Sequence, residues 1–229
     1  MTPGLVVVRP EPGLSRTIAR LRAGGADVIG WPLFVAAPVA WTAPVAGAHD
    51  ALLVTSANAV RLAGAELAAL AHLPVIAVGA ESAAVARAAG LRVAVTGDGG
   101  VIEALAAARD AGLTQPLHLA GREHIDSGHP TVIVYASADV ATDAAAFVDA
   151  ARNRIVLLHS VRAAERVASL IGDGREAIGI TALSSKVLAA AGTGWRIAAA
   201  AAVPTDPALC ALALERAIDR MAGAGDKRS

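Results

Sequence analysis

Short apolar runs alternate along this chain with longer segments in which apolar residues recur at helical spacing. The runs predict buried strands at residues 5–8, 50–55, 74–78, 91–95, 116–120, 154–158, 177–181 and 195–199. The segments between them predict helices at residues 16–23, 59–70, 81–89, 102–111, 143–151, 163–171, 184–191 and 208–221, the first capped by Ser15. Strands that alternate with helices in this order are typical of an α/β fold with parallel sheets.

Two segments depart from this alternation. Residues 27–49 begin with an extended run and continue rich in Pro and Ala with little periodicity, so we interpret them as a connector at a candidate domain boundary. Residues 130–135 form a second extended run, which we interpret as a return connector. A chain of 229 residues suits one large or two small domains.

Polar residues mark the ends of the predicted strands. In parallel sheets, ligands bind outside the carboxyl ends of the strands. At those ends the chain places hydroxyls, glycines and a few basic side chains: Arg9, Thr55-Ser56, Gly79, Gly121-Arg122, His159-Ser160 and Thr181. Such a set offers neutral hydrogen-bond donors and little net charge, which suits a ligand with several carboxylates.

The most informative of these ends is the stretch after the predicted strand at residues 50–55. Thr55, Ser56 and Asn58 are small and polar, and a helical pattern follows them directly. Their side chains and the unpaired N–H groups of a helix N-terminus together attract anions. The alternative is an ordinary N-cap, since Ser and Asn are common at that position for stability alone.

Composition and charge exclude several classes of function. The 20 basic and 20 acidic residues give a formal net charge of zero, so neither nucleic acid nor a membrane surface is an expected partner. Cys210 is the only cysteine, which excludes an intrachain disulfide or a cysteine-based metal site. We see no signal peptide and no apolar run long enough for a membrane span, and we expect a cytoplasmic protein.

Motifs for cofactors and for nucleophilic catalysis are also missing. No dinucleotide fingerprint follows the first strand, and neither a phosphate loop nor a Gly-x-Ser-x-Gly elbow occurs. His124 and His129 flank Asp126, but their spacing matches no metal motif and favours a solvated loop. His159 is either a base in a ligand site or a neighbour of a helix cap. We therefore expect no cofactor and no metal.

Several short segments, in this order, resemble the uroporphyrinogen-III synthase family. Their order and spacing carry the resemblance more than any single match. They are Val8-Arg9-Pro10, Trp31-Pro32-Leu33, Thr55-Ser56-Ala57-Asn58-Ala59-Val60, Val78-Gly79-Ala80-Glu81-Ser82-Ala83 with Ala88-Ala89-Gly90, Val134-Tyr135, His159-Ser160, Leu183-Ser184-Ser185 and Ala202-Val203-Pro204-Thr205.

The resemblance implies a fold of two parallel-sheet α/β domains, flavodoxin-like and of the synthase type, joined by a two-stranded linker. The first domain would be discontinuous, with residues 1–30 plus 138–229, and the second would be residues 36–129. Residues 31–35 and 130–137 would be the connecting strands, and the active site would lie in a cleft between the domains.

The implied reaction cyclises hydroxymethylbilane, a linear tetrapyrrole with eight carboxylates, to uroporphyrinogen III. Water is lost and the terminal pyrrole ring is inverted, without a cofactor. The resemblance assigns Tyr135 as the catalytic residue, donating to the departing hydroxyl, although its side chain could instead pack against a domain. It assigns substrate binding to Arg9, Thr55, Ser56, Asn58, Ser82, Arg122, Ser160, Ser184 and Ser185. Either Arg could instead be a structural strand-end residue.

The expected partners are the linear tetrapyrrole and, transiently, the upstream enzyme that forms the bilane; the chain is expected to be a monomer. One departure stands out, because relatives usually carry a helix between the positions of Arg122 and Pro130, and this chain is too short there. Two alternatives therefore remain: a catalytically inactive synthase-like domain, and a non-catalytic two-domain binder of a small polyanion.

Overall fold

The computed structural model describes residues 4–45 and 47–225, with the backbone alone from residue 219 onward. This part of the chain has a mixed α/β architecture with parallel sheets and divides into two compact units. The first unit contains the residues up to Val35 and those from Asp139 onward, and the second unit contains Ala36–Ala138.

Strands and helices alternate through both units. The strands are β1 Gly4–Val7, β2 Asp27–Gly30, β3 Phe34–Pro38, β4 Ala51–Val54, β5 Val75–Ala77, β6 Val93–Thr96, β7 Pro116–Gly121, β8 Thr131–Asp139, β9 Ile155–Leu158, β10 Gly179–Ala182 and β11 Ile197–Ala200. The α-helices are α1 Gly13–Ala23, α2 Ala57–Leu62, α3 Ala80–Ala88, α4 Val101–Asp110, α5 Ala144–Ala151, α6 Val161–Ile171, α7 Ser185–Ala190 and α8 Asp206–Gly225, with 3₁₀ helices at Gly64–Leu70 and Gly174–Ala177.

The sheet of the first unit has five strands in the order β11-β10-β9-β1-β2, and its described pairs are parallel. Side chains alternate between its faces, so Val6 and Val156 pack with Phe147 of α5, while Leu5 and Leu157 form a second core on the opposite face. Helices thus cover both faces, which explains why the strands are almost wholly apolar.

The sheet of the second unit has six strands in the order β3-β8-β7-β4-β5-β6. One face carries Leu52 and Leu119 against α2 and α3, and the other carries Leu53 and Ile76 against α4. β3 and β8 lie side by side at one edge of this sheet. The pairs from β8 across the sheet to β6 are parallel.

Three sequence interpretations are corrected by the structure. Residues 27–49 are not a connector throughout, because Asp27–Gly30 is β2, which pairs with β1. The first helix begins at Gly13, so Ser15 lies inside it, where its N–H and hydroxyl donate to the Glu11 carboxylate at 3.1 and 2.6 Å. The helix predicted to reach residue 70 ends at Leu62, because Gly64, at φ +69°, breaks it before the 3₁₀ helix.

Candidate functional site

The strand order of the first unit fixes where a ligand would bind. From β1 the chain moves outward to β2 on one side, and from β9 it moves outward to β10 and β11 on the other. The carboxyl ends of β1 and β9 therefore flank the topological switch point, where parallel sheets bind ligands. Arg9 follows β1, and His159 and Ser160 follow β9. Ser184 follows the next strand, β10.

The second unit has its own switch point, between β4 and β7. From β4 the chain moves outward through β5 and β6, whereas β7 continues to β8 on the other side. Thr55 and Ser56 follow β4, and Arg122 follows β7. The sequence-predicted ligands of each unit thus gather at the carboxyl edge of its own sheet, beside the switch point.

Three of the predicted serines are N-caps. The hydroxyl oxygens of Ser56, Ser160 and Ser184 accept hydrogen bonds from backbone N–H groups of α2, α6 and α7 at 3.3, 3.1 and 3.4 Å. Each serine has the extended backbone that a cap position requires. A hydroxyl that accepts in this way still has its own proton to donate, so capping and ligand binding are compatible.

The remaining small polar residues differ in how accessible they are. The backbone N–H of Asn58 donates the hydrogen bond by which Ser56 caps α2. The side-chain oxygen of Asn58 lies 3.5 Å from Arg61 Nη1. Ser185 is exposed at the first position of α7. Ser82 is only 5% exposed, because it lies on the face of α3 that packs against the sheet.

Arg9 is held by a carboxylate that the sequence interpretation did not include. Its Nη1 lies 3.1 Å from Asp206 Oδ1 and 3.2 Å from Thr17 Oγ1. The Asp206 carboxylate also accepts from the Thr17 hydroxyl at 2.6 Å and pairs with Arg20. The charge of Arg9 is therefore partly neutralised within the protein, as expected of a structural strand-end residue.

His159 joins the same cluster, with Nε2 3.0 Å from Asp206 Oδ1. Burial lowers the pKa of His159, although its bond to Asp206 acts in the opposite direction. For Asp206, burial acts to raise the pKa, but hydrogen bonds from Thr17 and His159 outweigh it and the pKa is lowered. At neutral pH the His159 imidazole is therefore neutral and the Asp206 carboxylate is ionised. Only the start of α8 signals Asp206 in the sequence, and nothing there signals its partners.

Tyr135 lies in β8 against the end of β7. Gly121 makes room for its ring, since a Cβ atom at Gly121 would meet Tyr135 Cζ at 2.5 Å and the phenol oxygen at 2.8 Å. The backbone N–H of Arg122 donates to the Tyr135 carbonyl oxygen at 2.9 Å, while the Arg122 side chain is exposed. Tyr135 is half-buried, and its ring also packs on the core that includes Leu119.

A buried histidine that sequence reasoning missed lies behind Thr55. His118, in β7, is fully buried, with Nε2 3.0 Å from Thr55 Oγ1 and Nδ1 3.2 Å from Ser127 Oγ. Burial, reinforced by the neighbouring His124 and His129, lowers the pKa of His118 to about 4. The ring is therefore neutral at physiological pH. A single His inside an apolar strand is the only sequence signal.

Neither metal-binding clusters nor membrane spans occur in the described part of the chain. Within residues 4–45 and 47–225, no group of three or more His, Cys, Asp or Glu side chains could hold a metal ion. Among the same residues, no helix is both long and apolar enough to span a membrane.

Comparison with known proteins identifies the family. A model of the family described as uroporphyrinogen-III synthase HemD matches residues 15–211, most of the chain. The chain belongs to the uroporphyrinogen-III synthase family. The function that goes with this family is uroporphyrinogen-III synthesis, a step of tetrapyrrole and haem biosynthesis, and the chain is an enzyme of this kind. A search of curated proteins found no match.

A search of solved structures found uroporphyrinogen-III synthases that match most of this chain. The crystal structure of uroporphyrinogen-III synthetase from Helicobacter pylori is 17% identical, with a TM-score of 0.59, and the match covers 94% of this chain and 99% of that one. Wild-type uroporphyrinogen III synthase from Thermus thermophilus is 15% identical over 96% of this chain and 100% of that one, with a TM-score of 0.40. The first likeness supports the α/β fold with parallel sheets.

Proposed function

We propose that this chain cyclises hydroxymethylbilane to uroporphyrinogen III, with loss of water and inversion of the terminal pyrrole ring, and that the residues at its two switch points do the work. One observation carries the assignment of these residues: hydroxyl groups line the carboxyl edge at the switch point of each unit, beside helix N-termini. This is the chemistry that a substrate with many carboxylates and no phosphate requires.

Substrate binding would rest on neutral donors more than on paired charges. Ser56, Ser160 and Ser184 each keep a hydroxyl proton to donate after capping a helix, and Thr55 and Ser185 are exposed beside them. Donation to a carboxylate is a charge-assisted hydrogen bond, about twice as strong as a neutral one. Several weak donors would hold the tetrapyrrole and still release the product.

The role of the protein in the chemical step would be chiefly to hold the chain of pyrroles in the ring-inverting geometry. The wrong isomer forms without help, so orientation decides the product. The bond from the terminal methylene carbon to its hydroxyl oxygen breaks, and that oxygen leaves as water. The methylene carbon bonds to the substituted α-carbon of the last pyrrole ring, whose bond to the neighbouring methylene breaks and re-forms at the free α-carbon with loss of a proton. We assign Tyr135 to donate a proton or hydrogen bond to this oxygen, and the side chain of Arg122 as a counter-charge for a carboxylate.

The finer architecture belongs to the same proposal. The first sheet, followed from β2 to β11, has the strand order 2-1-3-4-5 of flavodoxin-like folds when its strands are numbered within the unit. The second sheet, followed from β6 to β8, instead has the order 3-2-1-4-5 when β3 is left out and its strands are numbered from β4. We propose two parallel-sheet α/β domains, with residues 31–35 and 130–137 as connecting strands. We further propose a cytoplasmic monomer that receives its short-lived substrate by transient contact with the bilane-forming enzyme.

Product analysis tests the function. Purified protein is incubated with hydroxymethylbilane, and the type I and type III isomers are separated after oxidation. Mainly type III product is expected. Type I product alone, with retained binding of a linear tetrapyrrole, would favour a non-catalytic binder; type I product without binding would favour an inactive synthase-like domain, for which the absence of a helix within residues 122–130 is the motivation.

A further inference from the structure

The crossover from β7 to β8, residues 122–130, contains no helix. Adjacent parallel strands are usually joined by a dozen or more residues that form a helix. Here Thr131 at the start of β8 is paired with His118, so the chain leaving β7 at Gly121 must return along β7 to reach it. A short segment with no regular structure therefore runs back along β7 from the carboxyl end of that strand.

Two side-chain bonds hold this crossover on β7. His124 Nδ1 donates to the Gly121 carbonyl oxygen at 2.9 Å, and Ser127 Oγ lies 3.2 Å from His118 Nδ1. The His118 and His124 rings also meet edge to face, with centroids 5.5 Å apart. The middle of the crossover is therefore attached to one buried side chain, that of His118.

His118 in turn reaches the switch point. Leu53 of β4 is its register partner, so the two side chains share a face of the sheet, and Thr55, two residues further along, continues on that face. His118 Nε2 lies 3.0 Å from Thr55 Oγ1. A continuous hydrogen-bonded connection thus runs from the crossover through His118 to a strand-end hydroxyl.

A neutral ring has one donor and one acceptor nitrogen, so the two hydrogen bonds of His118 run in the same direction along this connection. If Ser127 donates to Nδ1, then Nε2 carries the proton and donates to Thr55 Oγ1. The Thr55 hydroxyl proton is then left to point away from the ring, toward a ligand. A leucine would fill the same space, but it would leave Thr55 free to rotate.

We propose that His118 is a positioning residue that fixes the Thr55 hydroxyl as a donor to a substrate carboxylate, with the helix-free crossover holding His118 through Ser127. The proposal deepens the proposed function and rests on it, because it requires Thr55 to contact the substrate. In this chain the crossover would thereby contribute to binding despite its lack of a helix.

A double-mutant cycle on KM tests the proposal. Thr55→Val removes the hydroxyl and keeps the shape of the side chain. His118→Asn can replace only the hydrogen bond to Ser127, because its amide is too short to contact Thr55. His118→Gln is long enough to replace the hydrogen bond to Thr55. We expect KM for hydroxymethylbilane to rise about tenfold in Thr55→Val and in His118→Asn, with kcat changed less than about twofold. His118→Gln is expected to stay within about threefold of wild type, and Thr55→Val/His118→Asn to be no worse than Thr55→Val alone.

The outcomes distinguish the positioning role of His118 from the proposed function. Additive effects in the double variant, or a fall in kcat at unchanged KM, would overturn the positioning role while wild-type formation of type III product upheld the function. Type I product alone from the wild type would overturn the function and this inference together. Thermal melting of each variant checks folding. If His118→Asn does not fold, Ser127→Ala replaces it in the cycle, with a KM rise of about threefold expected that disappears in the Thr55→Val background.

Discussion

A serine at the start of a helix can serve the fold and the ligand at once, because its oxygen accepts a backbone bond while its proton remains free. Ser56, Ser160 and Ser184 all show the first half of this arrangement. These caps could be predicted from the sequence, since a cap and its helix are neighbours in the chain. Whether the hydroxyl protons of these serines also donate to a ligand can be tested by experiment.

Ser160 offers that separation, since α6 is a full helix whose cap bond is 3.1 Å long. Ser160→Ala should lower the free energy of unfolding by about 1 kcal/mol and also raise KM. Ser160→Asp should keep the cap and the stability but raise KM further, because a negative charge would repel substrate carboxylates. Urea unfolding and steady-state kinetics measure the two effects. An unchanged KM in Ser160→Asp would leave Ser160 as a cap alone.

A conservative substitution tests the role proposed for Tyr135 in the chemical step. Tyr135→Phe removes the phenol oxygen and keeps the ring that packs against Gly121. We expect kcat to fall about a hundredfold, the lower range for loss of a general acid, with the melting temperature unchanged. A kcat equal to that of wild type would remove the proton-donor role and leave the tyrosine as a packing residue of β8.

The residues that sequence reasoning missed share one physical property, which is that their partners are remote in the chain. Asp206 is 189 residues from Thr17, and His118 is 63 residues from Thr55. Neither the spacing of apolar residues nor a helix-capping rule can predict a bond between residues so far apart in the chain. The packing of α1 against α8 creates the first pair, and the pairing of β4 with β7 creates the second.

At the scale of elements, the alternation of apolar runs and helical segments predicted most strands and helices. This prediction was wrong at two places, where proline or glycine interrupts the pattern of apolar residues. β2 was merged with the connector because Trp31 and Pro32 follow it without a helix. The end of α2 was missed because an Ala- and Leu-rich pattern continues past Gly64. Another glycine, Gly121, lies where the register between β7 and β8 shifts.

Gly121 in β7 lets the Tyr135 ring of β8 lie against the backbone. Gly121→Ala should push that ring aside, lowering the free energy of unfolding by about 1–3 kcal/mol and reducing kcat. Gly174→Ala is the matched control, because a Cβ atom there meets nothing within 4 Å and the position lies outside the proposed site. Chemical unfolding and turnover of both variants give the comparison. Wild-type turnover by Gly121→Ala would contradict the placement of Tyr135 at the reacting oxygen.

For the whole molecule, we expect stability to be lost at a higher pH than protonation of the surface carboxylates alone would cause. The pKa of His118 is lowered from 6.5 to about 4 by burial, so between these pH values the unfolded chain binds a proton that the folded chain does not. The free energy of unfolding should therefore fall as the pH drops through this window, by about 3 kcal/mol from His118 alone. His159, whose pKa is also lowered by burial, acts in the same direction.

Urea unfolding from pH 7 to pH 4 measures this loss, with His118→Gln as the control because it has no imidazole to protonate. The variant should be less stable at pH 7 but should lose less stability on acidification. Asp206, whose pKa is lowered, should add a further loss only at still lower pH, as its carboxylate becomes protonated. Parallel pH profiles for wild type and variant would contradict the buried, neutral state of His118.

The family assignment and the neutral, hydroxyl-lined strand ends converge on one activity. Its most direct test is the isomer ratio formed from a fixed amount of hydroxymethylbilane as the purified protein is titrated into a reaction that otherwise gives the type I isomer. We expect the type III fraction to rise with the protein concentration until it approaches the whole product. A fraction that stays at the uncatalysed level at every protein concentration would contradict it.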